Sequence, residues 1–73
     1  MNIDQALILI KQGETVKIRN TNFKLCQYSH VEMDYDDPSL FHLLQDHGLV
    51  RVCSFRQEDL EVSNEIQKET NRN

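Results

Sequence analysis

Lys17, Arg19 and Lys24 are the residues whose types and spacing point most directly to chemistry. Lys17 and Arg19 are two apart, so on a strand they leave the same face. Lys24 joins them if the chain turns back between them. Asn20 and Tyr28 lie close by in the sequence. Together these five residues form a cationic patch with an amide and a phenol, suited to a phosphate and to a ring beside it. The plainer alternative is an edge hairpin protected by lysines. An opposite set, Glu32, Asp34, Asp36 and Asp37, has the chemistry to meet a basic protein surface, or to form a solvated acidic face.

The residues offer little to catalysis or to metals. His42 and His47 are five apart, whereas a helical metal pair prefers a spacing of four. Cys26 and Cys53 are far apart and there is no CxxC. Asp34, Asp36 and Asp37 lack the central Gly and closing Glu of a calcium loop. Ser29 and His30 are adjacent, and adjacency in sequence does not make a nucleophile and its base. Both glycines, Gly13 and Gly48, read as helix ends, so no phosphate loop is available. A non-catalytic protein without metal or cofactor is expected.

The elements that must position these residues begin with a helix. Asn2 and Gln5 have capping-box spacing, and Ile3, Ala6, Leu7 and Ile10 share one helical face. Gly13 closes the helix in a left-handed conformation. Ile8 and Leu9 fall outside the main face, which suggests a subunit interface. Val16 and Ile18 alternate with Lys17 and Arg19. The turn chemistry of 20–22 then leads into a strand over 23–28, completing a hairpin over 15–28. Val31, Met33 and Tyr35 alternate with Glu32 and Asp34, a third strand with an acidic outer face. Asp37 and Pro38 read as the cap and first residue of a second helix. Leu40, Phe41, Leu43 and Leu44 would form its buried side and Gly48 its end. A strand over 49–55 follows, with Val50 and Val52 on one face and Leu49, Cys53 and Phe55 on the other. Residues 57–62 leave room for one helical turn.

The expected fold is therefore α+β: a small, mostly antiparallel sheet, made of the hairpin plus two strands, with two short helices packed on it. Residues 1–62 form one domain. Residues 63–73, with Ile66 their single large apolar residue, form a flexible tail.

Composition sets the outer limits. The chain has 73 residues, 38% hydrophobic and 27% charged, an ordinary globular balance. At this length one core rarely supplies more than about 3–5 kcal/mol, which favours a partner subunit. Self-association as a homo-oligomer is therefore expected. The net charge of −4 is unevenly spread. Residues 1–30 carry Lys11, Lys17, Arg19 and Lys24 against Asp4 and Glu14, a balance of +2. Residues 31–62 carry eight acids against Arg51 and Arg56, a balance of −6. An acidic chain repels a phosphate backbone, so duplex nucleic acid is not an expected partner. No apolar run approaches a membrane span, and the opening residues lack the basic start of a signal peptide. A cytoplasmic protein is expected, with both cysteines reduced and serving as small core residues.

The opening from Asn2 to Arg19 places Ala6, Leu7, Lys11, Gly13 and Val16 in the pattern ALxxxKxGxxV, a short helix running into a basic strand. In this it resembles the small phage sponge proteins that counter Thoeris defence by sequestering signals of the cyclic-ADP-ribose type. Glu58, Asp59 and Leu60 are similar to an acidic-Asp-Leu step in that family. The resemblance covers about a third of the chain. Where the family carries a Trp after the basic strand, the nearest aromatic here is Phe23. It implies a homo-oligomer that holds a small nucleotide without turnover, a phage anti-defence protein acting in the host cytoplasm. The second reading is an acidic inhibitor that binds and blocks a host or CRISPR-type defence protein through Glu32, Asp34, Asp36 and Asp37.

Overall fold

The structure, a computed structural model, describes residues 1–63 of the chain. It is α+β, as expected, but dominated by sheet. One helix, α1 (Ile3–Lys11), is followed by β1 (Val16–Ile18), β2 (Lys24–Leu25), β3 (His30–Met33), β4 (Leu40–Gln45) and β5 (Val50–Arg56). A 3-10 turn over Gln57–Asp59 leads into β6 (Leu60–Val62). The strands form two antiparallel three-stranded sheets, β2-β1-β6 and β3-β4-β5.

Local chemistry explains α1. Asn2 Oδ1 accepts from the Gln5 amide at 2.9 Å, and the Asn2 amide donates to Gln5 Oε1 at 3.3 Å. Gly13, at φ +92°, takes the left-handed position after the helix. The Ile3 amide, otherwise without an intrahelical acceptor, donates to Gln57 Oε1 at 2.6 Å. That bond ties the helix start to the turn between the two sheets.

The expected second helix is instead strand β4. The Asp37 carbonyl accepts from the Leu40 amide at 3.0 Å, and the Asp37 carboxylate accepts from the Ser39 amide and hydroxyl at 3.0 and 2.7 Å. Asp37, Pro38, Ser39 and Leu40 are thus a β-turn, for which Asp and then Pro are as favourable as they are for a helix start. Asp37 caps no helix. Gly48 likewise ends no helix. With Asp46 and His47, all three at positive φ, it makes the turn between β4 and β5.

One core joins both sheets and α1. Ala6 and Ile10 from the helix meet Val16, Ile18 and Leu25 from the first sheet, Phe41, Leu43 and Phe55 from the second, and Leu60 from β6. The rings of Phe41 and Phe55 stack at 6.0 Å between centroids. The register shifts between Leu43, opposite Cys53, and Leu44, opposite Arg51. This bulge leaves Val52 without a cross-strand partner and lets Val52 and Cys53 both pack against the core, where strict alternation had put them on opposite faces.

The cysteines part company. Cys53 is half-buried, and burial pushes its thiol pKa up. Cys26 is exposed, contrary to the expected core position, because Leu25 beside it takes the inward direction. The expected third strand also ends early: Tyr35 lies beyond β3 and is 99% exposed. Ile66 and the expected flexible tail lie outside the described residues, apart from Ser63. No described helix is long and apolar enough to cross a membrane.

Candidate functional site

The cationic face is built by period-two alternation. Val16 and Ile18 are buried on β1, so Lys17 between them points outward. Lys24 on β2 stands directly opposite Lys17, and Glu61 on β6 stands opposite it on the other side. Arg19, just past β1, reaches Glu61 at 3.4 Å, an exposed pair. Lys17, Arg19 and Lys24 therefore share one face, with Glu61 beside them. Two like charges opposite each other destabilise a sheet unless something anionic lies between them.

The turn between β1 and β2 is held by its own hydrogen bonds. Asn20 takes the left-handed conformation at φ 67°. The Thr21 hydroxyl donates to the Ile18 carbonyl at 2.8 Å and accepts from the Phe23 amide at 3.0 Å. This fixes Phe23 next to Lys24. A small polar cavity of about 220 Å³ lies here, lined by Lys17, Thr21, Asn22, Phe23, Lys24 and Ser63. A wider cleft of about 570 Å³ adjoins it, and Phe23 and Lys24 line both. Tyr28, His30, Asp46 and His47 stand along the wider one.

Of the residues expected to bind a ligand, Lys17, Lys24 and Tyr28 line this pair of cavities. Arg19 is on the same sheet face, paired to Glu61, and lines neither. Asn20 shapes the turn. Phe23, Thr21, His30 and His47 were not singled out as ligand groups. Phe23 was readable as an aromatic directly before Lys24. The two histidines were not, because only the β4–β5 turn and the pairing of β3 with β4 bring them near the hairpin.

The acidic residues are largely engaged within the chain. Glu32 reaches Arg51 at 3.5 Å. Asp34 Oδ2 accepts from the amides of Asp36 and Asp37, both at 3.0 Å. Its Oδ1 lies 2.7 Å from Nε2 of His42, and the hydrogen bond from His42, with those amides, holds the Asp34 carboxyl below its ordinary pKa. Asp37, bonded first by Ser39 and also by Arg56 at 3.2 Å, is lowered as well. His42 is 2% exposed, and its Nδ1 lies 2.7 Å from the Ser54 hydroxyl. Asp34, His42 and Ser54 thus form a continuous hydrogen-bonded row across the second sheet, which a helical placement of His42 had hidden. Among the described residues no group of three His, Cys, Asp or Glu is placed to hold a metal ion.

No protein-family model, curated protein or solved structure matches this chain.

Proposed function

We propose that this chain is a non-catalytic binding protein of the phage anti-defence kind, which sequesters a small nucleotide-derived immune signal. Its phosphate sits at Lys17 and Lys24, and its ring sits in the adjoining cleft beside Phe23 and Tyr28. The observation that carries this reading is that the two cavities share walls, Phe23 and Lys24. A compact charge beside a wide, partly aromatic cleft matches a ligand with a phosphate at one end and a base at the other. Lys17 and Lys24, facing each other across the ladder, gain by sharing an anion. Self-association belongs to the same reading. The exposed Ile8, with Met1, Gln5 and Leu9, forms an apolar groove of about 380 Å³ on α1 that a second copy would cover.

A second reading, an acidic inhibitor of a defence protein, is favoured by Tyr35. It is almost fully exposed between Asp34 and Asp36, with Met33 also exposed nearby. An exposed aromatic among acids is the type of anchor that protein interfaces use.

A thermal-shift panel of cyclic nucleotides and ADP-ribose derivatives, run beside a pull-down from bacterial lysate, separates the two. A rise in melting temperature with a nucleotide supports the sponge. No rise with any nucleotide, together with capture of a defence protein that Asp36→Lys abolishes, supports the inhibitor.

A further inference from the structure

We propose that Ser54 is a base-assisted nucleophile, an acyl-acceptor site on the second sheet separate from the cationic cleft. The geometry that carries it is the row of Ser54 Oγ, His42 Nδ1, His42 Nε2 and Asp34 Oδ1, with both heavy-atom distances at 2.7 Å. An ionised carboxylate only accepts hydrogen bonds. In the neutral imidazole the proton therefore sits on Nε2, facing Asp34, and Nδ1 is left to accept from the Ser54 hydroxyl. That is the arrangement by which a histidine, oriented by a carboxylate, removes the proton from an attacking serine. Here the two ring nitrogens exchange their usual roles.

Burial and exposure are divided suitably. The imidazole is enclosed, while Ser54 is an exposed residue at the solvent end of the row. Asp34 is fixed independently of His42 by the amides of Asp36 and Asp37. Two charged groups near His42 are paired elsewhere. Glu32, opposite it on β3, holds Arg51, and Arg56, beyond Ser54 on β5, holds Asp37. Ser29 and Ser39 are bonded differently. Ser39 bonds Asp37 and Arg56, and the Ser29 hydroxyl accepts from the Cys26 amide.

The substrate class is an activated ester. Ser54 Oγ forms a bond to the carbonyl carbon, its proton passes to Nδ1 of His42, and the carbon–oxygen bond to the leaving alkoxide breaks. The leaving group takes the electron pair, and the proton on Nδ1 goes on to it or to water. Asp34 touches no substrate and acts as a positioning residue.

The test is acetylation of the full chain by p-nitrophenyl acetate, located by peptide mass spectrometry between pH 5 and 9. General-base help is worth roughly 100-fold or more. Ser54 is therefore expected to acetylate at least about tenfold faster than Ser29 or Ser39, with a rate that rises less than tenfold per pH unit. His42→Gln and Asp34→Asn are each expected to slow it about tenfold or more, with circular dichroism unchanged. If His42→Gln does not fold, Asp34→Asn decides. The proposal is overturned if Ser54 reacts no faster than the other serines, if its rate rises tenfold per pH unit without levelling, if the acetyl group lands on lysines with Ser54 unmodified, or if the folded variants react like the parent.

Discussion

Lys17 and Lys24 face each other across the β1–β2 ladder, two ammonium groups side by side on one sheet face. Like charges directly opposite each other weaken a sheet by about 0.2–1 kcal/mol. Lys24→Gln should therefore leave the unliganded protein as stable as the parent or raise its melting temperature by a few degrees. The gain should vanish in high salt, where the repulsion is screened. Melting curves at low and high sodium chloride check this. A clear loss of stability on substitution would show that Lys24 is held by a favourable contact instead.

Glu61 opposes Lys17 from the other side and holds Arg19. It lies beside the proposed phosphate position, so Glu61→Gln should tighten nucleotide binding, by roughly two- to fivefold at low salt, the size of an exposed charge interaction. Arg19→Ala should weaken binding less than Lys24→Ala, because Arg19 lines neither cavity. Titration of the three variants gives the ranking directly.

Asp34 ties the loop after β3 to the second sheet, and its carboxyl is held below the ordinary value of 3.8, chiefly by His42. A depressed folded pKa means that the unfolded chain binds the proton more readily. The stabilisation is then complete above 3.8 and is lost as pH falls through the lower folded value. Asp37 contributes in the same direction. The melting temperature of the parent should fall steeply below pH 4, and that acid limb should be shallower in Asp34→Asn. Parallel limbs for parent and variant would contradict it.

Gly48 closes the β4–β5 turn at φ +87°, and a Cβ there would meet only His30 at an ordinary 3.7 Å. The cost of Gly48→Ala is therefore one of backbone conformation, about 1–2 kcal/mol. Gly13→Ala, at φ +92° with nothing nearby, should cost about the same. In a domain of this size each should lower the melting temperature by roughly 4–15 °C. A much larger loss at Gly48 alone would mean that the turn also clashes.

What was legible in the sequence was what depends on neighbours in the chain. Asn2, Gln5 and Gly13 specify α1 through bonds three or four residues long. Val16 and Ile18 specify the buried face of β1 by alternation. What was not legible depends on partners far along the chain. Asp37, Pro38 and Gly48 bound a helix as readily as they bound two turns, and the run from Leu40 to Leu44 is apolar enough for either a strand or a helix. The bulge at Val52 has no signature in residue types. His42 reads as a lone helical histidine until β4 and β5 are paired, and only then do Ser54 and Asp34 come within reach. The cationic face needs only the hairpin, so the placement of Lys17 and Lys24 on it is legible from alternation. The wider cleft needs both sheets, so the placement of His30 and His47 along it is not.

The most direct test of the proposed function is calorimetric titration of the parent and of Lys24→Ala with a cyclic-ADP-ribose-type nucleotide at low salt. Lys24 lines both cavities, so its loss removes the phosphate contact and part of the cleft wall together. Micromolar or tighter binding by the parent is expected, with an affinity that falls with added salt and at least about tenfold weaker binding by the variant, since charge-assisted bonds of this kind contribute about 1.5–3 kcal/mol. Binding of equal strength by the folded variant, or no heat from the parent with any nucleotide of that class, would contradict it.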